Sequence, residues 1–217
     1  RKDRRRHECI AAGVRVEPED RFEPLCFTLF IKLDRAVHVV AVSERQGLVA
    51  FGALSRPEVF AGQYWRLESA TWLHGTLNHL VSNAIALFIL GMVCEHGFGR
   101  GQYLIVYAAS GVGGSLLSLL TSPGPSVGAS GAIFGLQGAA IVLFRRHRDR
   151  LLVRDRRIGF VLLVWAAYSI LGGVFDPYVD NGAHLGGALT GALVARLLHP
   201  VVLEPPRFLT QPITDLF

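Results

Sequence analysis

Six polar side chains stand inside stretches of this sequence that carry no Asp, Glu, Lys or Arg: His74, Asn78, His79, Asn83, Ser130 and His184, with Asn181 just ahead of the last. A serine becomes a nucleophile when a base removes its proton, and a neutral histidine is the usual base. No acidic residue lies within those stretches, which leaves a Ser130–His184 dyad rather than a Ser-His-Asp triad. Acyl transfer puts negative charge on an oxygen, which needs hydrogen-bond donors aimed at it. His79 and Asn83, four apart and therefore on one helix face, are the candidate donors, together with the Ser130 backbone N–H. Each residue also has a plainer reading. A helical serine usually bonds back to its own helix, and a membrane histidine or asparagine often only ties helices together. Gly128 and Gly131 around Ala129-Ser130 allow close backbone approach, and the four residues fall near the same end of their stretches, which favours one shared site.

The elements that must position them read as membrane spans. The charge-free stretches are 69–94, 101–144, 158–175 and 181–195, against about 20 apolar residues for a crossing. The second holds two spans divided by Ser122-Pro123-Gly124-Pro125. The predicted crossings are 72–94, 101–121, 127–144, 158–175 and 182–199, the last with Arg196 snorkelling near its end. The segment 145–157 holds seven arginines while 121–126 and 176–182 hold none, so 145–157 is cytoplasmic and the spans starting near 72, 127 and 182 enter from outside. Helices running in the same direction then set Ser130 and His184 at similar depth, a few ångströms below the outer surface. The basic N-terminus, RKDRRR, belongs on the cytoplasmic side, which requires one more crossing. The candidate is 24–43, although Lys32, Asp34 and Arg35 lie inside it at a cost of about 2.5–3.5 kcal/mol each at a helix centre. The alternative is an interfacial helix. The expected organisation is a basic segment 1–22, an all-α polytopic membrane domain 23–199 and a tail 200–217. Because the chain begins with Arg, either a segment preceding it or an altered N-terminus is expected.

Composition agrees. Of 217 residues 51% are hydrophobic and 18% charged, with a mean hydropathy of +0.37, too apolar for an ordinary soluble domain. The net charge of +5 comes from 20 Arg and 2 Lys clustered between apolar runs, a topology signal rather than a nucleic-acid footprint. Cys9, Cys26 and Cys94 support neither a disulfide framework nor a CxxC metal site. Gly131, Gly135 and Gly138, facing the pairs Gly182/Gly186 and Gly187/Gly191, supply small faces on which two helices can nearly touch and bring Ser130 beside His184.

These residues resemble the rhomboid intramembrane serine proteases over roughly 60–199. The matching segments are Tyr64-Trp65-Arg66-Leu67, HGTLNHLVSN (74–83), Glu95 with Gly97 and Gly99, GASG (128–131) and NGAHLGG (181–187). The resemblance implies a six-helix bundle with a water-filled cavity open to the outer face. In it Ser130 is the nucleophile, His184 the general base, His79 and Asn83 the oxyanion-stabilising residues, and Gly128 frames the serine. It implies structural roles for His74, for Trp65 and Arg66 in an external loop, for Glu95 with Arg100 at the cytoplasmic end, and for Phe134 against the catalytic imidazole. Substrates would be single-pass transmembrane proteins, cut where their helix unwinds in the bilayer, with no cofactor, no metal and no nucleic acid involved. The charged first span departs from the family's pattern.

Three rival readings remain. A rhomboid-like client-binding protein without activity typically lacks the serine or the histidine. A transporter or channel would spread polar residues across the membrane depth. A zinc site from His74, His79 and His184 comes with no HExxH, acidic or Cys ligand. Positive-inside topology fits a bacterial inner membrane best, with the site opening outward.

Overall fold

The computed structural model describes residues 45–147, 160, 162, 164–167, 171, 173 and 179–201. The segment 1–22, the candidate span 24–43 with its three charges, the arginine-rich stretch beyond His147, most of 158–175 and the tail from 202 lie outside the described residues.

Three short helices come first: α1 (Arg45–Phe51), α2 (Arg56–Phe60) and α3 (Arg66–Ser69), the last running into a 3-10 turn at Ala70–Trp72. Pro57 opens α2, where a missing N–H costs nothing. These pieces are too short to stand alone and are held by side chains. The Arg66 guanidinium is buried and donates to the carbonyls of Val49 at 2.6 Å and Ala53 at 2.9 Å and to Gln63 Oε1 at 2.8 Å, while lying 4.8 Å from the Trp65 ring. It thereby satisfies carbonyls at the C-terminal end of α1. The Trp65 ring covers Gly52, where φ of +113° and a Cβ falling 2.6 Å from the ring both require glycine. Ser69 Oγ donates to the Gly52 carbonyl at 2.8 Å. These contacts tie residues 49–53 to 63–69.

The long element α4 runs Leu77–Thr121, 45 residues, and is long and apolar enough to cross a membrane, with a mean hydropathy of 1.8 over its most apolar window. A straight helix of that length would extend about 68 Å, more than twice a hydrocarbon core of about 30 Å. It does not run straight. Gly99 adopts φ 74° and ψ 164°, a conformation essentially reserved for glycine, and the chain reverses there. Past the break, Tyr103 reaches back to Gly91, and Tyr107 comes within 6.1 Å of Trp72. Glu95 and Arg100 bridge the reversal at 3.2 Å, with the Glu95 side chain buried.

Two further helices complete the described bundle, α5 (Ser130–Arg146) and α6 (Asn181–Leu197), and α4, α5 and α6 pack against one another pairwise. Glycines set how closely. A Cβ at Gly187 would fall on the Gly131 carbonyl oxygen, and one at Gly191 on that of Gly135, so the two main chains are in direct contact. Leu90, Cys94, Phe98, Val106, Leu136 and Leu143 fill the core. The outside is apolar too: Leu185, Leu189, Leu193 and Leu197, four apart, form an exposed stripe on α6, while Asn83, Ser110, Ser118, Gln137 and His184 are buried. That inversion suits a lipid surround.

Helix starts differ from the sequence expectation in two places. The helix expected from 72 begins at Leu77, because Leu73 and Thr76 are extended and Thr76 caps the helix by accepting from the His79 N–H at 3.1 Å. The helix expected from 127 begins at Ser130, because Gly128 at φ +128° cannot lie in a helix. In both, the expected span took in apolar chain that is loop. The reversal at Gly99 also carries helix past the expected end at 94.

Candidate active site

Ser130, His184, His74, His79, Asn83 and Gly128 lie at one end of the described bundle. Ser130 is the first residue of α5 and His184 the fourth of α6. Main-chain contact between these helices brings Ser130 Oγ to 2.9 Å from His184 Nε2. Phe134, one turn beyond Ser130, stacks on the His184 ring with centroids 4.2 Å apart and planes 14° apart. The far nitrogen, His184 Nδ1, is buried and has no hydrogen-bond partner among the described residues. Among the described residues the arrangement is a pair, with no carboxylate bonded to that nitrogen.

Beside it lies a second cluster. The absent side chain of Gly128 makes room for the His79 imidazole: a Cβ there would lie 2.5 Å from His79 Cε1 and 3.6 Å from Asn83 Nδ2. Asn83 Nδ2 donates to His74 Nε2 at 2.9 Å, and the Ala129 N–H approaches the same nitrogen at 3.5 Å. With Nε2 accepting, a neutral His74 carries its proton on Nδ1. One Asn83 N–H is thus used to fix the amide. The His74 ring also meets His79 edge-on at 5.1 Å. Sequence reading placed His74 at the outer end of a span; it stands instead in the extended segment ahead of α4, and touches the site through Asn83. The N-cap residue of α5, Ala129, offers no side-chain cap to the backbone N–H groups of the first turn.

Trp65, Arg66 and Glu95 are not part of this cluster. The first two hold the outer loop and the third the reversal at Gly99. The loop nonetheless reaches the site through the main chain, because the Gly128 N–H donates to the Ala70 carbonyl at 2.9 Å. Leu54 and Ser126 add an antiparallel bridge, 3.0 and 2.9 Å for its two bonds.

One residue escaped the sequence reading. Asp180 served there only as the boundary of a charge-free stretch, yet it caps α6, accepting from the Ala183 N–H at 2.9 Å, and binds Ser122 Oγ at 2.7 Å and Ser118 Oγ at 2.5 Å. Burial pushes its carboxyl up, but the hydrogen bonds from Ser118, the Ala183 N–H, Ser122 and Ser126 outweigh that and hold it below the ordinary value, ionised at neutral pH. An Asp immediately ahead of a helical pattern is the N-cap signal that would have found it. Among the described residues no group of three or more His, Cys, Asp or Glu could hold a metal ion, so His74, His79 and His184 do not form a ligand cluster.

Comparison with known proteins bears on the same region. Residues 61–201 match the Rhomboid domain. The chain is 38% identical over 151 residues to the rhomboid protease GluP of Bacillus subtilis, covering 70% of this chain and 29% of that protein. It is 42% identical over 150 residues to RHOMBOID-like protein 5 of Arabidopsis thaliana, covering 68% of this chain and 48% of the relative. The rhomboid protease AarA of Providencia stuartii is 31% identical over 176 residues, covering 70% and 62%. In each case the chain spans less than two thirds of the relative's own length. With a domain match over more than half of its residues and relatives of this similarity, the chain belongs to the rhomboid family of polytopic, helical integral membrane proteins.

Proposed function

We propose that this protein is an intramembrane serine endopeptidase that cleaves single-pass transmembrane proteins with a Ser130–His184 dyad. The observation that carries the reading is the 2.9 Å contact between Ser130 Oγ and His184 Nε2, with Phe134 holding the imidazole plane. In the first half-reaction Nε2 takes the Ser130 proton as Oγ bonds to the scissile carbonyl carbon. The oxyanion then accepts from His79, from the second Asn83 N–H and from the backbone at the start of α5, with Gly128 leaving the space in which these donors meet. Collapse expels the amine, which takes the proton from the His184 imidazolium and leaves an acyl-serine. A water, deprotonated by the same imidazole, attacks that ester and releases the second product. His74 supports Asn83 in this scheme, and Trp65, Arg66 and Glu95 support the scaffold.

The wider assignment belongs to the same reading: a six-helix bundle in which 24–43 and 158–175 supply the crossings that complete it, in a bacterial inner membrane, with the site opening to the external face and no cofactor required. A purely client-binding role is disfavoured, because such a role has no use for a serine and a histidine at bonding distance.

The deciding experiment is covalent labelling of the detergent-solubilised protein with a fluorophosphonate. The parent should label at one site, and Ser130→Ala and His184→Ala should abolish labelling while keeping the parent's melting behaviour. Absence of labelling in a folded parent, or persistent labelling of Ser130→Ala, overturns the assignment.

A further inference from the structure

Among the described residues His184 Nδ1 has no partner, and the imidazole is aimed by the Phe134 stack, by Ser130 and by the placement of α6 itself. That placement is fixed at the outer end by Asp180. The carboxylate ties the first turn of α6, through Ala183, to Ser118 in the last turn of α4 and to Ser122 just beyond it, 62 and 58 residues away in sequence. The main-chain carbonyl of the same residue accepts from the N–H of His184 at 3.1 Å. Arg56 holds the other side of the α4 terminus, donating to the carbonyls of Leu119 and, at 3.2 Å, Ser122. Side chain and main chain of one residue therefore join the end of α4 to the backbone that carries the base.

We propose that Asp180 is the positioning residue for His184: its three-way carboxylate clamp sets the register of α6 against α4, and so the distance from Nε2 to Ser130. The inference rests on the protease reading. The hydroxyls of Ser118 and Ser122 are spent on the clamp, which leaves Asp180 acting through the base rather than on the substrate. Geometry rather than charge is the operative property. An Asn in its place keeps an oxygen for Ala183 and Ser122, and the Ser118 hydroxyl can turn to the Asn amide or to its own helix. Displacing a catalytic group by about 1 Å can cost roughly 10²-fold in rate.

The test is fluorophosphonate labelling of the full chain, resolved into the maximal inactivation rate and the half-saturating probe concentration. Asp180→Ala should lower the maximal rate about 10-fold or more with the half-saturating concentration within about twofold of the parent, and Asp180→Asn should restore most of the rate. If Asp180→Ala does not fold, the Ser118→Ala/Ser122→Ala double variant carries the same expectation. A maximal rate within twofold of the parent, a loss confined to the half-saturating concentration or to melting temperature, or an Asn variant as slow as Ala each overturns the proposal. These outcomes are read against a parent that labels. A folded parent that does not label overturns the protease reading and this inference with it.

Discussion

Asn83 donates one amide proton to His74, which links a histidine outside the helix to the candidate site. The residues proposed to serve the oxyanion come from separate chain segments: His79 and Asn83 from the first two turns of α4, the latter held by His74 from the chain ahead of it, with Gly128 before α5 leaving them room. His79→Ala or Asn83→Ala should lower turnover by roughly 10²-fold with melting temperature little changed, the usual loss for an oxyanion donor. Gly128→Ala should lower it as well, because the new Cβ both meets His79 and strains a φ of +128°. Unchanged turnover in the His79 and Asn83 variants would remove them from the mechanism. Ser130, His184, His79 and Asn83 stood out in the sequence because polar residues in charge-free stretches are conspicuous, and the fold brings Ser130 beside His184. Asp180 did not stand out, because the criterion that exposed the others, absence of charge, turned it into a boundary. Its partners Ser118 and Ser122 are ordinary serines until the fold sets them beside it.

At the scale of elements, the hydrophobic pattern anticipated the helices within Leu77–Thr121, Ser130–Arg146 and Asn181–Leu197 and misjudged the starts of two of them. Apolar residues such as Leu73 continue past the helix into chain that lies between helix and loop, and hydropathy does not tell the two apart. The helix-breaking conformations of Gly99 and Gly128 are backbone facts, carried by a residue that occurs 24 times in the chain, so type alone does not reveal which glycines break and which pack. The outer segment also carries a strained charge. Glu68, in α3, packs against the second half of α4, with one carboxylate oxygen 3.6 Å from the position a Cβ would take on Gly111, buried and without a hydrogen-bond partner among the described residues. Burial pushes its carboxyl above the ordinary value. A raised folded-state pKa means that the folded form holds the proton more tightly, so its contribution is most favourable below the ordinary carboxylate range and is lost as pH rises through the raised value. Glu68→Gln should therefore melt higher than the parent at pH 7, and the gap should close as the pH is lowered past about 4, the normal range of a glutamate. A gap that does not change with pH would show that the carboxylate is at ease where it sits.

Taken whole, the described bundle buries polar groups such as Asn83, Gln137 and His184, turns the leucine stripe of α6 outward, and sorts its candidate site residues to one end. The turn between α4 and α5 lies at that end, and Arg145 and Arg146, in the last turn of α5, at the other. With the arginines cytoplasmic, Gly124→Cys, at a position with nothing within 4 Å of the new side chain, should react with a membrane-impermeant maleimide on intact cells. Arg150→Cys should react only after the membrane is opened, both measured with Cys9 and Cys26 replaced by Ser. The reverse pattern would invert the orientation. The contact between α5 and α6 has one more consequence. Where Gly131 meets Gly187 and Gly135 meets Gly191 there are no side-chain torsions to populate, so no rotamer entropy is lost on docking and none is regained by loosening on warming. Thermal motion at that seam is confined to movement of the two helices as bodies. The spacing between nucleophile and base should therefore hold nearly constant with temperature until the bundle itself gives way, and activity should end abruptly at melting instead of fading ahead of it.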